Sequence, residues 1–304
     1  MTLPSLLRLL ALAGIWGMSF IFLRVTAPHF SPALTAWTRV ALGAALLCTA
    51  ARAAGVPLQW RQRLGFHFVV GFFNSALPFF LFAWAAARAP SAYLAIMNAM
   101  APLFAAAFGR LLSGERLSAQ RLAGFAVGVL GVAVLVGLGP ATPTPRLLAG
   151  VAGGLAAAAC YGFAAVHMRR HGDGLAPLGT AAGSLLAATL MLLPPVLAGA
   201  WRTQAPLPVL DASLWQALVA VGLLGLVCTG LAYALYFRLV ADEGSGRAVT
   251  VTFLVPLAAT LWGVALLHEH ITPVTLAGMA LVLSGTALSL GLLPALPRPV
   301  RARA

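Results

Sequence analysis

The sequence predicts an all-α membrane protein of ten transmembrane helices, built as two inverted five-helix repeats. Three observations carry that prediction: span-length apolar runs throughout the chain, a lopsided placement of arginines between them, and a motif that recurs at a fixed offset. Of the 304 residues 61% are hydrophobic and 8% charged, with a mean hydropathy of +0.96. That is far more apolar surface than a water-soluble core of this length could hide. About 20 apolar residues at a rise of ~1.5 Å cross a hydrocarbon layer of ~30 Å. Backbone groups in lipid must be paired within helices or closed barrels, and the Ala, Leu, Gly and Val runs lack the alternation of a barrel.

In chain order the predicted spans are 6–27, 32–53, 64–86, 91–111, 119–138, 147–168, 177–199, 213–237, 246–266 and 272–292. The first follows Arg8 in the manner of a signal peptide, but it runs past Phe20 with no small-residue cleavage site and reads as a membrane helix. Helix breakers separate the rest, among them Pro28 to Pro32, Pro90, Ser113 to Ser118, Pro140 to Arg146, Trp201 to Asp211, and Glu269 to Pro273. The predicted units are a first repeat over 1–139, a second over 146–292, and a basic tail over 293–304.

All nineteen basic residues are arginine. With the N-terminus placed inside, fourteen fall in inner connections, including Arg61 and Arg63, Arg116 and Arg121, Arg169 and Arg170, and Arg298 to Arg303; only Arg88, Arg146 and Arg202 fall outside. Cytoplasmic loops are enriched in positive charge, so the bias predicts an even number of helices with both termini cytoplasmic. The net charge of +13 does not point to nucleic acid, because the arginines lie between apolar runs and form no patch rich in aromatics.

Repetition sets the architecture. Pro102, Glu115, Gly124 and Gly131 recur as Pro256, Glu269, Gly278 and Gly285, each 154 residues on. Earlier in each half an offset of 145 aligns Trp16-Gly17 with Tyr161-Gly162, the difference being absorbed between Ala200 and Ser213. Five spans per half make the second copy enter the membrane from the opposite side, so the repeats are inverted. Cys48, Cys160 and Cys228 sit singly in apolar runs, without the spacing of a metal site or disulfide.

These paired signatures resemble the EamA-type transporters of the drug/metabolite transporter superfamily over nearly the whole chain. The resemblance rests on Trp16-Gly17 with Ser19-Phe20, Arg39, Pro102, Gly114-Glu115-Arg116-Leu117 and Gly124 in the first half, and on Tyr161-Gly162, Pro256, His268-Glu269 and Gly278 in the second. It departs from the family where Tyr161 replaces a tryptophan, Ser184 occupies the position matching Arg39, and His268 replaces a glycine. It implies a carrier in a bacterial inner membrane for small organic metabolites, amino acids or related compounds and extending to drugs, working in export by alternating access, with no cofactor. An inverted repeat reaches the same class less sharply by itself, since two near-equivalent bundles around a midplane site can open it to either side; the alternative readings are an intramembrane enzyme, for which no catalytic constellation is present in the sequence, and a non-transporting membrane receptor or assembly factor.

The candidate substrate-binding residues are Arg39, Asn74, Asn98, Trp16, Trp84, Tyr93, Tyr161, Tyr233 and Trp262. Arg39 lies well inside the second span, where a charge costs at least ~2.5 kcal/mol unless it meets water or a partner. It either contacts substrate in an aqueous cavity or bonds backbone carbonyls. The two amides suit a polar solute or an interhelical hydrogen bond; the aromatics shape a pocket or pack the core. Arg24, nearer a span end, is placed to snorkel to the headgroups. Pro102, Glu115, Gly124, Pro256, Glu269 and Gly278 are read as structural, Glu115 being placed to satisfy amides at the N-terminus of the next helix.

No carboxylate occupies the middle of a span, which argues against a carboxylate proton relay; His67 and His167 titrate in the useful range. His268 and His270 do not have the i, i+4 spacing of a helical zinc pair. Gly124 and Gly128, and Gly150 and Gly154, form small-residue faces suited to close packing, either between the halves or between protomers of a homodimer. Pro78, Pro102 and Pro256 interrupt spans and free carbonyls.

Overall fold

The computed structural model describes residues 1–114, 118–203 and 210–293. Ten helices follow one another: α1 Leu3–Thr26 and α2 Pro32–Ala53, α3 Leu64–Ala86 and α4 Ser91–Ser113, α5 Ala119–Leu138 and α6 Pro145–His171. Then come α7 Pro177–Gly199, α8 Ala212–Glu243 and α9 Gly246–Leu267, and α10 Pro273–Ser289. No strand occurs among the described residues. Helices α1 to α9 are each long and apolar enough to span a bilayer; α10, at 17 residues, is shorter than the 272–292 run suggests. The protein is a multi-pass membrane protein.

Local chemistry sets the helix starts. Thr2, Ser31, Ser118, Thr144, Asp211 and Thr272 each accept a hydrogen bond from a backbone N–H of the first turn, and proline stands early in α1, α2, α6 and α10, where its missing N–H is no loss. The Asp211 carboxyl is held below the usual carboxylate range by the Leu214 N–H, with help from the Ser213 hydroxyl.

Packing between helices repeats across the two halves. Helix α1 lies against α9 and α6 against α4, while α2 pairs with α7 and α5 with α10. The close approaches are equivalent too. A Cβ on Gly17 would come within 2.7 Å of the Ala259 nitrogen, and one on Gly162 within 2.6 Å of the Ala105 nitrogen. On α5 and α10 the glycines meet reciprocally: Gly124 opposes Gly285, and Gly131 opposes Gly278, with the partner's carbonyl oxygen 2.5 to 3.0 Å from where a Cβ would stand. Backbones this close gain dispersion contact that lipid cannot supply. Gly128 faces Leu103 and Met100, Gly150 faces Arg88 and Ala89, and Gly154 faces Met97. The small-residue faces that raised a homodimer are therefore used inside the chain.

Two helices carry a matched irregularity. A π-helical turn occupies Phe72–Ala76 of α3 and another Leu226–Leu231 of α8, starting 154 residues apart. Helix α4 is also interrupted. Pro102 has no N–H, Leu103 bonds back to Met100, and the Ala99 carbonyl left over accepts the Thr286 hydroxyl of α10 at 2.9 Å. The Ala99 carbonyl is thus satisfied by a neighbouring helix, while Asn98, Ala101 and Pro102 at the interruption line the cavity described below.

Candidate functional site

A cavity of about 890 Å³ runs from mid-bundle to the end of the molecule that carries Arg121, Arg169 and the connection at Gly172. Six of the nine sequence-predicted residues line it: Trp16, Arg39, Asn74, Asn98, Tyr161 and Tyr233. They come from α1, α2, α3, α4, α6 and α8, so the site belongs to both halves.

Arg39 is 7% exposed. Its Nε donates to the Thr229 hydroxyl oxygen at 2.9 Å, and its guanidinium carbon lies 3.8 Å from the centroid of the Phe79 ring, a cation–π arrangement. Thr229 sits in the π-helical turn of α8 and donates its own proton to the Leu224 carbonyl at 2.8 Å. The turn therefore orients the hydroxyl so that its lone pair faces Arg39. Helix α8 can come this close because it is glycine-lined: a Cβ on Gly225 would sit 3.1 Å from the Arg39 carbonyl oxygen, and one on Gly43 of α2 would sit 2.7 Å from the Thr229 methyl. No carboxylate forms an ion pair with Arg39 among the described residues.

Around it, Asn74 Nδ2 donates to the Tyr233 hydroxyl at 3.1 Å. Trp16 packs on Tyr236 at 5.6 Å between ring centroids, and Phe82 lies between Phe20 and Tyr161. Tyr236, Ser19 and Cys228 also line the cavity; Tyr236 and Thr229 escaped the sequence reading, which named Ser19 and Cys228 without a place in the site. The signal that could have found Thr229 was the repeat, which makes Ser75 and Thr229 equivalent positions just as it matches Ser184 to Arg39.

Three sequence-predicted aromatics lie elsewhere. Trp84 stacks under the Arg88 guanidinium at 3.8 Å and faces Gly153 of α6. Tyr93 is fully buried, its hydroxyl donating to the Leu135 carbonyl at 3.0 Å. Trp262 is 36% exposed on the outer surface of the bundle and donates from Nε1 to the Gly14 carbonyl at 3.1 Å. In an almost wholly apolar helix, composition does not say which face turns inward. His67 is buried with Nε2 2.8 Å from the Leu58 carbonyl, and His167 stacks between Phe163 and His171; neither lines the cavity.

At the other end, beside a smaller pocket of about 240 Å³ lined by Arg24, Ala92, Glu269 and Thr275, the helix ends are tied together. The Glu269 carboxylate accepts from the Ser91 N–H and hydroxyl, both at 2.8 Å, and lies 3.4 Å from the Ala92 nitrogen. It caps α4, in the first half, rather than the helix that follows it in sequence. Arg24 stands beside it, Nε at 3.9 Å, and donates from Nη1 to the Ala86 carbonyl at 3.0 Å; it is tied into the bundle instead of reaching for headgroups. Pro256 is buried in α9. Glu115 lies outside the described residues.

Comparison with known proteins agrees with this architecture. Residues 3–137 and 148–291 match the model of the EamA-like transporter family. The chain is 26% identical over 278 residues to a Salmonella typhimurium protein named a probable amino-acid metabolite efflux pump, covering 89% of each. It is 24% identical over 284 residues to uncharacterized transporter YvbV of Bacillus subtilis, covering 93% of this chain and 90% of that one. It is 25% identical over 280 residues to a probable terminal-alkyne amino-acid exporter of Streptantibioticus cattleyicolor, covering 90% and 89%. A protein of known crystal structure shares the fold, with a TM-score of 0.63 over 95% of this chain and 96% of that chain at 21% identity. The chain therefore belongs to the EamA-like transporters of the drug/metabolite transporter superfamily and is a membrane transporter, not an enzyme.

Proposed function

We propose that the protein exports small organic metabolites, amino acids or related compounds, across a bacterial inner membrane by alternating access. The arginine-rich end and both termini face the cytoplasm, and the conformation described is the one that loads from inside. The supporting observation is the cavity: it reaches mid-bundle from the arginine-rich end and is lined there by a buried guanidinium that has no carboxylate partner among the described residues. A charge at that depth is costly, and a polar solute that docks there relieves the cost. The named function of the Salmonella typhimurium relative supports the same substrate range and direction.

Counterflow and efflux of labelled amino acids from proteoliposomes, with and without an imposed pH gradient, test the reading. Wild type moves at least one member of the panel, and Arg39→Ala, still folded and monodisperse, loses that movement by about tenfold or more. Undiminished transport in Arg39→Ala removes the guanidinium from the pathway; movement of no solute by wild type removes the carrier reading.

A further inference from the structure

The charge pattern of the cavity narrows the substrate class. Arg39 lines the cavity with one N–H committed to Thr229 and its Phe79 face covered. A guanidinium has five N–H donors in a planar fork that matches a carboxylate with two parallel bonds. The opposite charge is missing among the described residues. Of the described acidic residues, Asp173, Asp211, Asp242, Glu243 and Glu269, none lines the cavity. Glu269 is committed to the first turn of α4, and Glu243 and Asp242 to Arg247 and Arg8. Around Arg39 the polar groups are neutral: Thr229, Asn74, Tyr233, Tyr161 and Ser184.

An α-ammonium entering this site would lose its water to neutral acceptors while a cation stands nearby, and a buried charge without a counter-ion is destabilised by several kcal/mol. A carboxylate has the reverse balance. Beyond it the wall is aromatic, with Trp16, Phe20, Phe82 and Tyr236 offering area to an apolar body.

We infer that the site recognises organic monocarboxylates with an apolar body through the carboxylate alone, that the α-amino group of an amino acid is dispensable, and that cationic solutes are rejected. This rests on the carrier reading above and deepens it. It assigns Arg39 and Thr229 the carboxylate and gives the ammonium no charged receptor.

The test is equilibrium binding of a matched series to the full-length purified protein: phenylpropanoate, N-acetylphenylalanine, phenylalanine, phenylalaninamide and phenethylamine, repeated on the leucine body. Quenching of tryptophan emission, with Trp16 at the cavity wall, and a thermal-shift assay read it. The amine-free and acylated carboxylates are expected to bind as tightly as the amino acid or tighter, and the amide and amine at least about tenfold more weakly. The carboxylate preference disappears in Arg39→Gln. Equal or tighter binding of the amide or amine overturns the inference and leaves the carrier reading standing, as does a tenfold loss on removing the amino group. Should Arg39→Gln fail to fold, the wild-type series decides alone. Binding of no member of either series overturns the inference, while counterflow with the broader panel judges the carrier reading separately.

Discussion

Arg39 is positioned by contacts that a sequence does not display. Its depth in the second span is plain from hydropathy, which is why a buried charge stood out. Its acceptor is not, because Thr229 lies 190 residues away on a helix whose π-helical turn rotates the hydroxyl into place. Such turns inside α-helices frequently mark functional sites. Replacing Thr229 with valine keeps the branched shape and removes the acceptor. A hydrogen bond to a charged group contributes ~1.5–3 kcal/mol, so Thr229→Val is expected to raise the apparent KM for the transported solute by about tenfold or more, with serine at that position restoring near wild-type values. Concentration-dependent counterflow of both variants checks this. An unchanged KM in Thr229→Val would mean that Phe79 and the surrounding packing hold Arg39 without help.

Between elements, packing rests on the reciprocal glycines of α5 and α10. A side chain at Gly131 would strike the Gly278 carbonyl and the Val282 nitrogen at 2.8 Å. Both are backbone, so neither helix can yield without moving as a whole. Gly131→Val is expected to destabilise the protein by more than about 3 kcal/mol, seen as lost monodisperse material or a large drop in apparent Tm. Gly137 on the same helix has nothing within 4 Å of a Cβ, and Gly137→Ala is expected to leave Tm unchanged or slightly raised. Equal behaviour of the two variants would show that the α5–α10 contact adds little.

Helix existence, order and repetition were legible because lipid imposes long apolar runs, and because Pro102, Gly124 and Gly131 recur with their spacing intact. Helix faces were not: Trp84, Tyr93 and Trp262 sit among residues as apolar as themselves, so no periodicity separates cavity from lipid. Glu269 was legible as structural by its place in the repeat, but its target on α4 depends on how the halves interleave.

Across the whole molecule, the inverted repeat relates the open end to the opposite one. If the halves exchange conformations, each position lining the present mouth gives its role to its counterpart. Ala106 and Arg121 line the mouth, and adding 154 to their numbers gives Thr260 and Thr275. Both are now buried, at 7% and 1% exposed. Glu269, bonded to the first turn of α4, stands beside Thr275 at this end, and its contact must part for the end to open as the mouth does. In a background lacking the three native cysteines, Thr260→Cys and Thr275→Cys are expected to resist a membrane-impermeant thiol reagent in the state described and to react when Glu269→Ala loosens the cap. Removing the cap also leaves two N–H groups of α4 without their acceptor, at a cost of about 1–3 kcal/mol each when buried, so a lower Tm should accompany the labelling. Glu269→Gln keeps an acceptor and should fall between wild type and alanine in both readouts. Labelling at Thr260 and Thr275 that stays absent in Glu269→Ala, while transport continues, would show that the two ends do not exchange as the repeat requires.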